Sequence, residues 1–208
     1  MKNNLKIGII GGGIQGVCSA LFLQKKGHQV TLFDKDEPGN AASYGNAGHF
    51  SPYAAVSLNR TDILTDVPAM LISSRGPLAL KWNYVPKMLP WFARFVINCG
   101  KEKMMHTAKY MNQILEQSLP AFDELFDEIN LDGLVENKGV LYVWTNKSKK
   151  SRDLEIKIRE ELGVKQQLVN PKEIHDLEPN IKPFYDGGVF YDYARHARNP
   201  RKILIKLF

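Results

Sequence analysis

The chain is poor in cysteine and has no long apolar run, and both shortages exclude whole classes of protein. Its 208 residues include two cysteines, Cys18 and Cys99, with neither a CxxC pair nor a Cys/His cluster. A disulfide framework and a structural metal site are therefore not expected, and a reducing compartment, the cytoplasm, is the plain inference. No stretch approaches the roughly 20 apolar residues of a membrane-spanning helix. A hydrophobic content of 44% nevertheless suffices for the core of a soluble enzyme.

Acidic residues are outnumbered by basic ones, and the formal net charge is +6. The basic residues gather at Lys101 and Lys103, at Lys147, Lys149, Lys150 and Arg152, and at Arg195, Arg198, Arg201 and Lys202. Such clusters can meet nucleic acid, anionic lipid or an anionic cofactor, but most are solvated faces. Because no nucleic-acid-binding motif accompanies the charge, nucleic acid is not expected as a partner.

The N-terminal segment KIGIIGGGIQGVCSALFLQKKGHQVTLFD, residues 6–34, carries a complete dinucleotide-binding pattern. A short apolar strand ending at Ile10 leads into Gly11, Gly13 and Gly16 at the G-x-G-x-x-G spacing. This spacing permits a tight turn, a close approach of the backbone to a pyrophosphate, and packing of the next helix against the sheet. The pattern predicts a βαβ unit that binds an adenine dinucleotide.

A helix and a second strand complete the predicted unit. The helix runs from about Ile14 to Lys26 and ends at Gly27, and its free N–H groups would hold the pyrophosphate. Its inner face is formed by Gly16, Ala20 and Leu23. The second strand spans Gln29–Phe33, and Asp34 follows it, where a carboxylate can accept hydrogen bonds from the ribose hydroxyls of the adenosine.

The stretch AASYGNAGHFSP, from Ala41 to Pro52, predicts an irregular loop at the sheet edge where doubly wound folds bind ligands. Gly48 would permit a close approach to a flat ring, while Ser43 and Asn46 could hydrogen-bond a pyrophosphate or the polar edge of a flavin. His49 beside them is either a base or an imidazole that makes only loop contacts, and the second is the commoner case.

These segments resemble the FAD-dependent D-amino-acid oxidase superfamily. SYGNAGHFSP and GPLALKWNYVPKMLPWFARF, residues 76–95, are similar in particular to the small subunit of bacterial D-amino acid dehydrogenases. The resemblance implies an α/β fold class, with a Rossmann-like FAD-binding βαβ unit plus part of a mixed α+β substrate domain. It also implies FAD as the cofactor. The residues that would hold FAD are Gly11, Gly12, Gly13, Ile14, Gln15, Gly16, Asp34, Ser43, Asn46, Ala47 and Gly48.

The same resemblance implies a division into domains. Residues 1–57 would form the first segment of the FAD-binding domain, residues 58–197 part of the substrate domain, and residues 198–208 a return segment. Because family members are about twice this long, we expect the chain to be a truncated fragment. Such a fragment would fold poorly, bind FAD weakly at best and show no turnover.

The implied reaction is oxidation of the CH–NH2 group of a small D-amino acid, with electrons passed from flavin to a quinone or another acceptor. The catalytic residues are unknown, because the family's substrate-holding residues belong largely to a C-terminal half that this chain lacks. Other functions remain open. One is oxidation of a related amine or imino acid such as glycine, sarcosine or D-hydroxyproline, and another is an NAD-dependent reductase. NADP is disfavoured because Asp34 opposes its 2′-phosphate.

An aromatic, basic segment lies in the middle of the chain. Pro86 and Pro90 are expected to break Trp82–Cys99 into short turns and a helix. The apolar face of that helix would carry Trp91, Phe92, Phe95 and Val96. Such a face either packs in a core, the commoner fate, or rests peripherally on the inner face of a membrane, a habit that the resemblance also suggests.

The remaining periodicity predicts further helices and strands. Helices are expected at residues 103–118, from Pro120 to about Ile129, at residues 149–162, after Asn170, and after Asn199. Strands are expected at residues 134–135, Val140–Trp144 and Val189–Tyr193. In the first of these helices, Tyr110, Ile114 and Leu115 are expected on the inward face.

Overall fold

A computed structural model of the chain describes residues 4–72, 79–131, 133–145 and 149–208. Lys147 and residues 76–78 of the segment that resembles the dehydrogenases lie outside the described residues. The chain divides into two compact units. The first comprises Met1–Ser51, Ser118–Gly139 and Tyr193–Phe208, and the second comprises Pro52–Gln117 and Val140–Asp192. The predicted domain boundaries after residues 57 and 197 stay predictions.

The chain contains both helices and strands, and the predicted mixed α/β class is confirmed. The strands are β1 (Lys6–Ile10), β2 (Gln29–Phe33), β3 (His49–Phe50), β4 (Val135–Glu136), β5 (Val140–Trp144), β6 (Gln167–Val169), β7 (Gly187–Tyr191) and β8 (Arg195–Ala197). The helices are α1 (Ile14–Lys25), α2 (Thr61–Ile72), α3 (Val85–Ile97), α4 (Lys101–Glu116), α5 (Ser118–Phe126), α6 (Lys149–Glu161), α7 (Pro171–Leu177) and α8 (Pro200–Leu207). A short 3-10 helix, Trp82–Tyr84, precedes α3.

The first unit opens with the predicted βαβ arrangement. β1 and β2 pair in parallel, with Ile7 opposite Val30. The last turn of α1 is closed by the N–H of Gly27, which donates to the carbonyl of Gln24 at 2.8 Å. This bond satisfies a carbonyl that the helix end would otherwise leave without a donor, so the helix ends where the glycine predicts.

α1 packs on two sides, and only one of them was predicted. Gly16 faces the glycine-rich turn, as the spacing indicates. On another side Val17 is buried together with Ile203 and Leu204 of α8 in the core of this unit. The partner helix lies far along the sequence, so the apolar period of α1 alone does not reveal this second contact.

A second sheet of the first unit has the order β3-β8-β4, and both pairs are antiparallel. The short strand β3 forms within the loop that was predicted to be irregular. β8 was not predicted, because its residues were interpreted only as a basic stretch. Phe50 of β3 packs edge-on against Phe122 of α5, with ring centroids 4.9 Å apart.

The second unit contains a sheet of order β5-β7-β6, with antiparallel pairs throughout. Residues 137–139 connect β4 to β5, but these strands belong to different sheets. α7 begins after Asn170, as predicted, and its first turn is closed by a capping box. Asn170 Oδ1 accepts from the N–H of Glu173 at 3.1 Å, while Glu173 Oε2 accepts from the N–H of Asn170 at 2.7 Å. These reciprocal bonds fix the first turn of α7.

α3 corrects the predicted interruption at proline. The helix continues through Pro90, with Pro86 in its first turn, where a missing N–H costs nothing. Phe92 and Phe95 are half-buried, whereas Trp91 and Val96 are exposed, so the four do not share one buried face. No residue of α3 is buried. In the part of the chain that the structure describes, no helix is both long enough and apolar enough to cross a bilayer.

α4 corrects the predicted inward face. Its buried residues are Met104, Ala108 and Asn112, whereas Tyr110 and Ile114 are exposed. These three buried positions follow one another every four residues, as one helix face requires. Beside Met104, this face carries the small Ala108 and the amide Asn112, so size and hydrophobicity alone indicated the wrong residues.

Candidate functional site

Asp34 closes the glycine-rich turn by accepting backbone hydrogen bonds. Its Oδ1 accepts from the N–H of Asp36 at 3.0 Å, and its Oδ2 accepts from the N–H of Gly12 at 2.5 Å. The bond from Asp36 and then the bond from Gly12 hold the pKa of the Asp34 carboxyl below its usual value. The carboxylate is therefore ionised at neutral pH. Since a carboxylate offers about four acceptor positions, it keeps capacity for further donors.

Gly16 brings α1 against the same turn. A Cβ atom at this position would lie 1.9 Å from the carbonyl oxygen of Gly11, so a larger residue would push the helix away. A Cβ atom at Gly13 would lie 3.3 Å from Ser43 Oγ. The glycine at position 16 is thus required by the packing of this structure, whether or not a ligand is bound.

Ser43 caps the N-terminus of α1. Its side chain is buried, and its Oγ accepts from the N–H of Ile14 at 3.0 Å. One of the N–H groups that the pattern assigned to a pyrophosphate is therefore already bound to the protein. The Ser43 hydroxyl can in turn donate its own proton to an oxygen acceptor. Gln15, next along α1, is exposed.

Asn46 and Gly48 shape the far end of the loop. Asn46 Nδ2 donates to the carbonyl of Ala42 at 3.3 Å, and Asn46 Oδ1 accepts from the N–H of Gly48 at 2.8 Å. Gly48 has a φ of +68°, and a Cβ atom there would lie 2.4 Å from the carbonyl oxygen of Ala197. The close approach at Gly48 is therefore made to β8, and its contact with a flat ring stays a prediction. Ala47 is exposed.

The predicted site residues fall into two groups along this edge of the first unit. The first group surrounds the start of α1 and contains Gly11, Gly12, Gly13, Ile14, Gln15, Gly16, Asp34 and Ser43. The second group follows along the loop and contains Asn46, Ala47 and Gly48. Assignment of either group to a cofactor stays a prediction.

His49 lies in β3, directly opposite His196 of β8. Their ring centroids are 5.1 Å apart at 69°. The imidazole thus makes a cross-strand contact that was not predicted, and its role as a base stays a prediction. Across the described residues, no cluster of three or more His, Cys, Asp or Glu side chains could hold a metal ion.

Arg201 of α8 is a neighbour of this site that the sequence pattern did not identify. Its Cζ lies 5.6 Å from the centroid of the Tyr44 ring, and its Nη2 lies 3.7 Å from Glu37 Oε2. The sequence showed Arg201 only as one member of a basic cluster. No spacing rule relates it to Tyr44, which lies on the loop after β2.

A tyrosine cluster forms in the second unit. The ring of Tyr53 stacks on that of Tyr191, with centroids 3.9 Å apart and planes 10° from parallel. The hydroxyls of Tyr53 and Tyr142 lie 3.2 Å apart, and burial raises the pKa of Tyr191. Arg159 Nε donates to the carbonyl of Tyr53 at 3.3 Å. These contacts fix Tyr53, which directly follows the loop of residues 41–52, onto β5, β7 and α6.

Residues 6–208 match the sequence family described as FAD dependent oxidoreductase. The chain belongs to this family. The superfamily that the fingerprint and the loop resemble is thereby confirmed, and with it the expectation of an FAD-dependent enzyme family.

Named relatives agree with the family. The chain is 34% identical over 203 residues to a D-amino-acid oxidase of Bradyrhizobium diazoefficiens, covering 96% of this chain and 48% of that protein. It is 28% identical over 182 residues to a D-amino acid dehydrogenase of Paramagnetospirillum magneticum, covering 85% of this chain and 43% of that protein. The chain therefore spans about half the length of the curated relatives it matches.

A solved structure shows the same fold. The glycine oxidase of Geobacillus kaustophilus superposes with a TM-score of 0.56 at 17% identity, covering 98% of this chain and 42% of that protein. At this level of identity the likeness concerns the fold alone.

Proposed function

We propose that the full natural polypeptide containing these residues is an FAD-dependent oxidoreductase that oxidises the CH–NH2 group of small D-amino acids. The observation that carries the proposal is the βαβ unit closed by the Asp34–Gly12 bond, in a chain 34% identical to a D-amino-acid oxidase over 96% of its length. Bound FAD would supply the acceptor for a hydride equivalent from the substrate.

The residues at the start of α1 suit the ADP half of FAD. The positive end of α1 favours the anionic pyrophosphate, and the absence of side chains at the glycines leaves the backbone accessible to it. Asp34 is ionised and fixed by Gly12 and Asp36, so its remaining acceptor positions can bind the ribose hydroxyls. The loop from Ser43 to Gly48 would then lie along the flavin side.

NAD is the alternative dinucleotide, because the same βαβ unit serves both cofactors. Purified full-length protein should retain FAD through gel filtration and show flavin absorbance, while calorimetry should detect no binding of NAD. Binding of NAD in place of FAD would refute the proposal. Asp34→Asn should weaken FAD binding about tenfold, as loss of charge-assisted hydrogen bonds predicts. Asp36→Asn is the matched control, because it keeps the backbone N–H that binds Asp34.

The named relatives support D-amino acids as the substrate class, and this proposal needs a direct test. A panel of small D-amino acids should reduce an artificial electron acceptor in the presence of the enzyme, while the L-enantiomers should not. Glycine, sarcosine and D-hydroxyproline form the second arm of the panel, and activity confined to that arm would replace D-amino acids with a related amine or imino acid. Comparison of a soluble quinone with oxygen identifies the class of acceptor.

We also propose that α3 contacts the inner face of a membrane, where a quinone acceptor would reside. Trp82, Leu89 and Trp91 in and beside α3 are more than half exposed. Lys87 and Arg94 lie on the same helix, which contains no acidic residue. Exposed aromatic and aliphatic side chains among basic ones favour an anionic bilayer surface.

Vesicle sedimentation tests this contact on the full-length protein. Vesicles that contain anionic lipid should bind the protein more tightly than neutral vesicles do, and salt should weaken binding. Trp91→Ser should reduce binding, while Ile114→Ser, which removes an exposed apolar side chain from α4, should not. Equal binding of both variants and native protein would contradict a role for α3.

A further inference from the structure

The candidate pyrophosphate site lies beside several carboxylates. These would repel a bound pyrophosphate unless a cation close to the site offset their charge. Asp34, Asp36 and Glu37 follow β2 within a few residues, and Lys35 is the basic residue among them. The Lys35 side chain is 86% exposed, and it pairs with Asp36 at 3.6 Å. A pyrophosphate would add about two further negative charges next to these carboxylates. The positive end of α1 opposes this charge only partly.

Contacts of both its stem and its guanidinium hold the Arg201 side chain next to the glycine-rich turn at residues 11–13. A Cβ atom at Gly39 would lie 3.5 Å from Arg201 Cγ, so the stem of Arg201 rests on that glycine. The N–H of Gly39 donates to the carbonyl of Gly12 at 3.0 Å. The guanidinium lies over the ring of Tyr44, which directly follows the Ser43 cap of α1. Arg201 is thus linked to the start of α1 through both Gly39 and Tyr44.

The guanidinium also has an unused donor. Arg201 Nε is buried and has no hydrogen-bond acceptor, and the contact of Nη2 with Glu37 at 3.7 Å is too long for a hydrogen bond. Buried donors in folded proteins are usually paired, so this N–H keeps capacity for one more acceptor. A phosphate oxygen suits a guanidinium, whose planar fork of donors matches its geometry.

We propose that Arg201, held over Tyr44, binds the pyrophosphate of the dinucleotide and supplies the positive charge that the carboxylates after β2 make necessary. This inference rests on the proposed function, because it places one more residue at the same cofactor. The ring of Tyr44 orients the guanidinium by a cation–π contact. The ligand chemistry that Arg201 recognises is the diphosphate, and the adenine and ribose are recognised elsewhere.

Calorimetry with FAD, ADP and adenosine on the full-length apoprotein separates the diphosphate from the rest of the ligand. Arg201→Met should weaken binding of ADP and FAD by about tenfold or more, the effect of a charge-assisted hydrogen bond, and leave adenosine binding unchanged. Arg201→Lys keeps the charge without the fork, so its loss should be smaller. Lys202→Met removes one positive charge from the same helix and should change nothing.

Two further readouts keep the test decisive. Added salt should weaken ADP binding less in Arg201→Met than in native protein, because the charge pair is gone. Tyr44→Leu changes an exposed side chain and should weaken ADP binding without affecting adenosine, even if Arg201→Met fails to fold. Native ADP affinity in Arg201→Met or in Tyr44→Leu would overturn the inference. Failure of native protein to bind FAD would instead overturn the proposed function.

Discussion

Replacement of Gly48 by alanine tests whether the loop after β2 is held by β3 and β8 as the structure shows. Gly48 has a φ of +68°, a left-handed conformation that costs an alanine about 1–2 kcal/mol. The added Cβ would also lie 2.4 Å from the carbonyl oxygen of Ala197 and 3.2 Å from its Cβ. The first contact is far inside normal separations and the second is tight, so the two strands must move apart.

Movement of the strands has its own cost. The N–H of Ala197 donates to the carbonyl of Gly48 at 2.7 Å, and loss of such a bond costs about 1 kcal/mol. Strain and the lost bond together predict that Gly48→Ala lowers the free energy of unfolding by about 2–3 kcal/mol. That is a large share of the roughly 5–15 kcal/mol of an ordinary domain.

Gly45→Ala is the matched control, because it makes the same chemical change in the same loop. A Cβ atom at Gly45 would have nothing within 4 Å, so its effect should stay within about 0.5 kcal/mol. Urea unfolding of the two full-length variants, followed by circular dichroism and tryptophan fluorescence, measures the difference. If Gly48→Ala were within about 1 kcal/mol of Gly45→Ala, the close approach of β3 and β8 at this glycine would be wrong.

Further predictions concern packing, pH and thiol reactivity. Gly16→Ala should cost about 2 kcal/mol or more in urea unfolding because its Cβ would overlap the turn, whereas Ser19→Ala on the exposed side of α1 should be nearly neutral. Arg195 lowers the pKa of Asp123, so this pair stabilises the fold at neutral pH and its contribution disappears as the pH falls through that lowered pKa. The melting temperatures of native protein and Asp123→Asn should therefore converge in acid, and a constant difference would contradict the pair. Burial raises the pKa of Cys18 to about 11, so Ellman's reagent at pH 8 should label it only after unfolding, as mass spectrometry can verify.

The βαβ unit could be predicted because every signal for it is local. Strand, glycine turn, helix and terminating Gly27 follow one another directly, and each acts on neighbours within a few residues. Even the acidic residue that closes the turn, Asp34, comes at the end of the adjacent strand. The predicted bounds of β2 and the start of α1 are confirmed for this reason.

The faces of α3 and α4 could not be predicted, because distant partners decide them. Asn112 is buried since its Nδ2 donates to the carbonyl of Leu162, which lies 50 residues further along the chain, at 3.3 Å. Ile114 on the same helix is 68% exposed. An apolar period identifies a helix, but it does not say which face meets another element when apolar residues lie on more than one face.

The basic stretch from Arg195 to Arg198 shows the same limit at the site itself. Read along the sequence, its charges indicate a solvated surface. In the structure Arg195 pairs with Asp123, 72 residues earlier, and Arg198 pairs with Glu136, 62 residues earlier. With these charges paired, the segment can form the middle strand of a sheet, and that strand is what the backbone of Gly48 approaches. A glycine that permits a close approach carries no information about what approaches it, so the sequence alone could not reveal that β8 lies against Gly48.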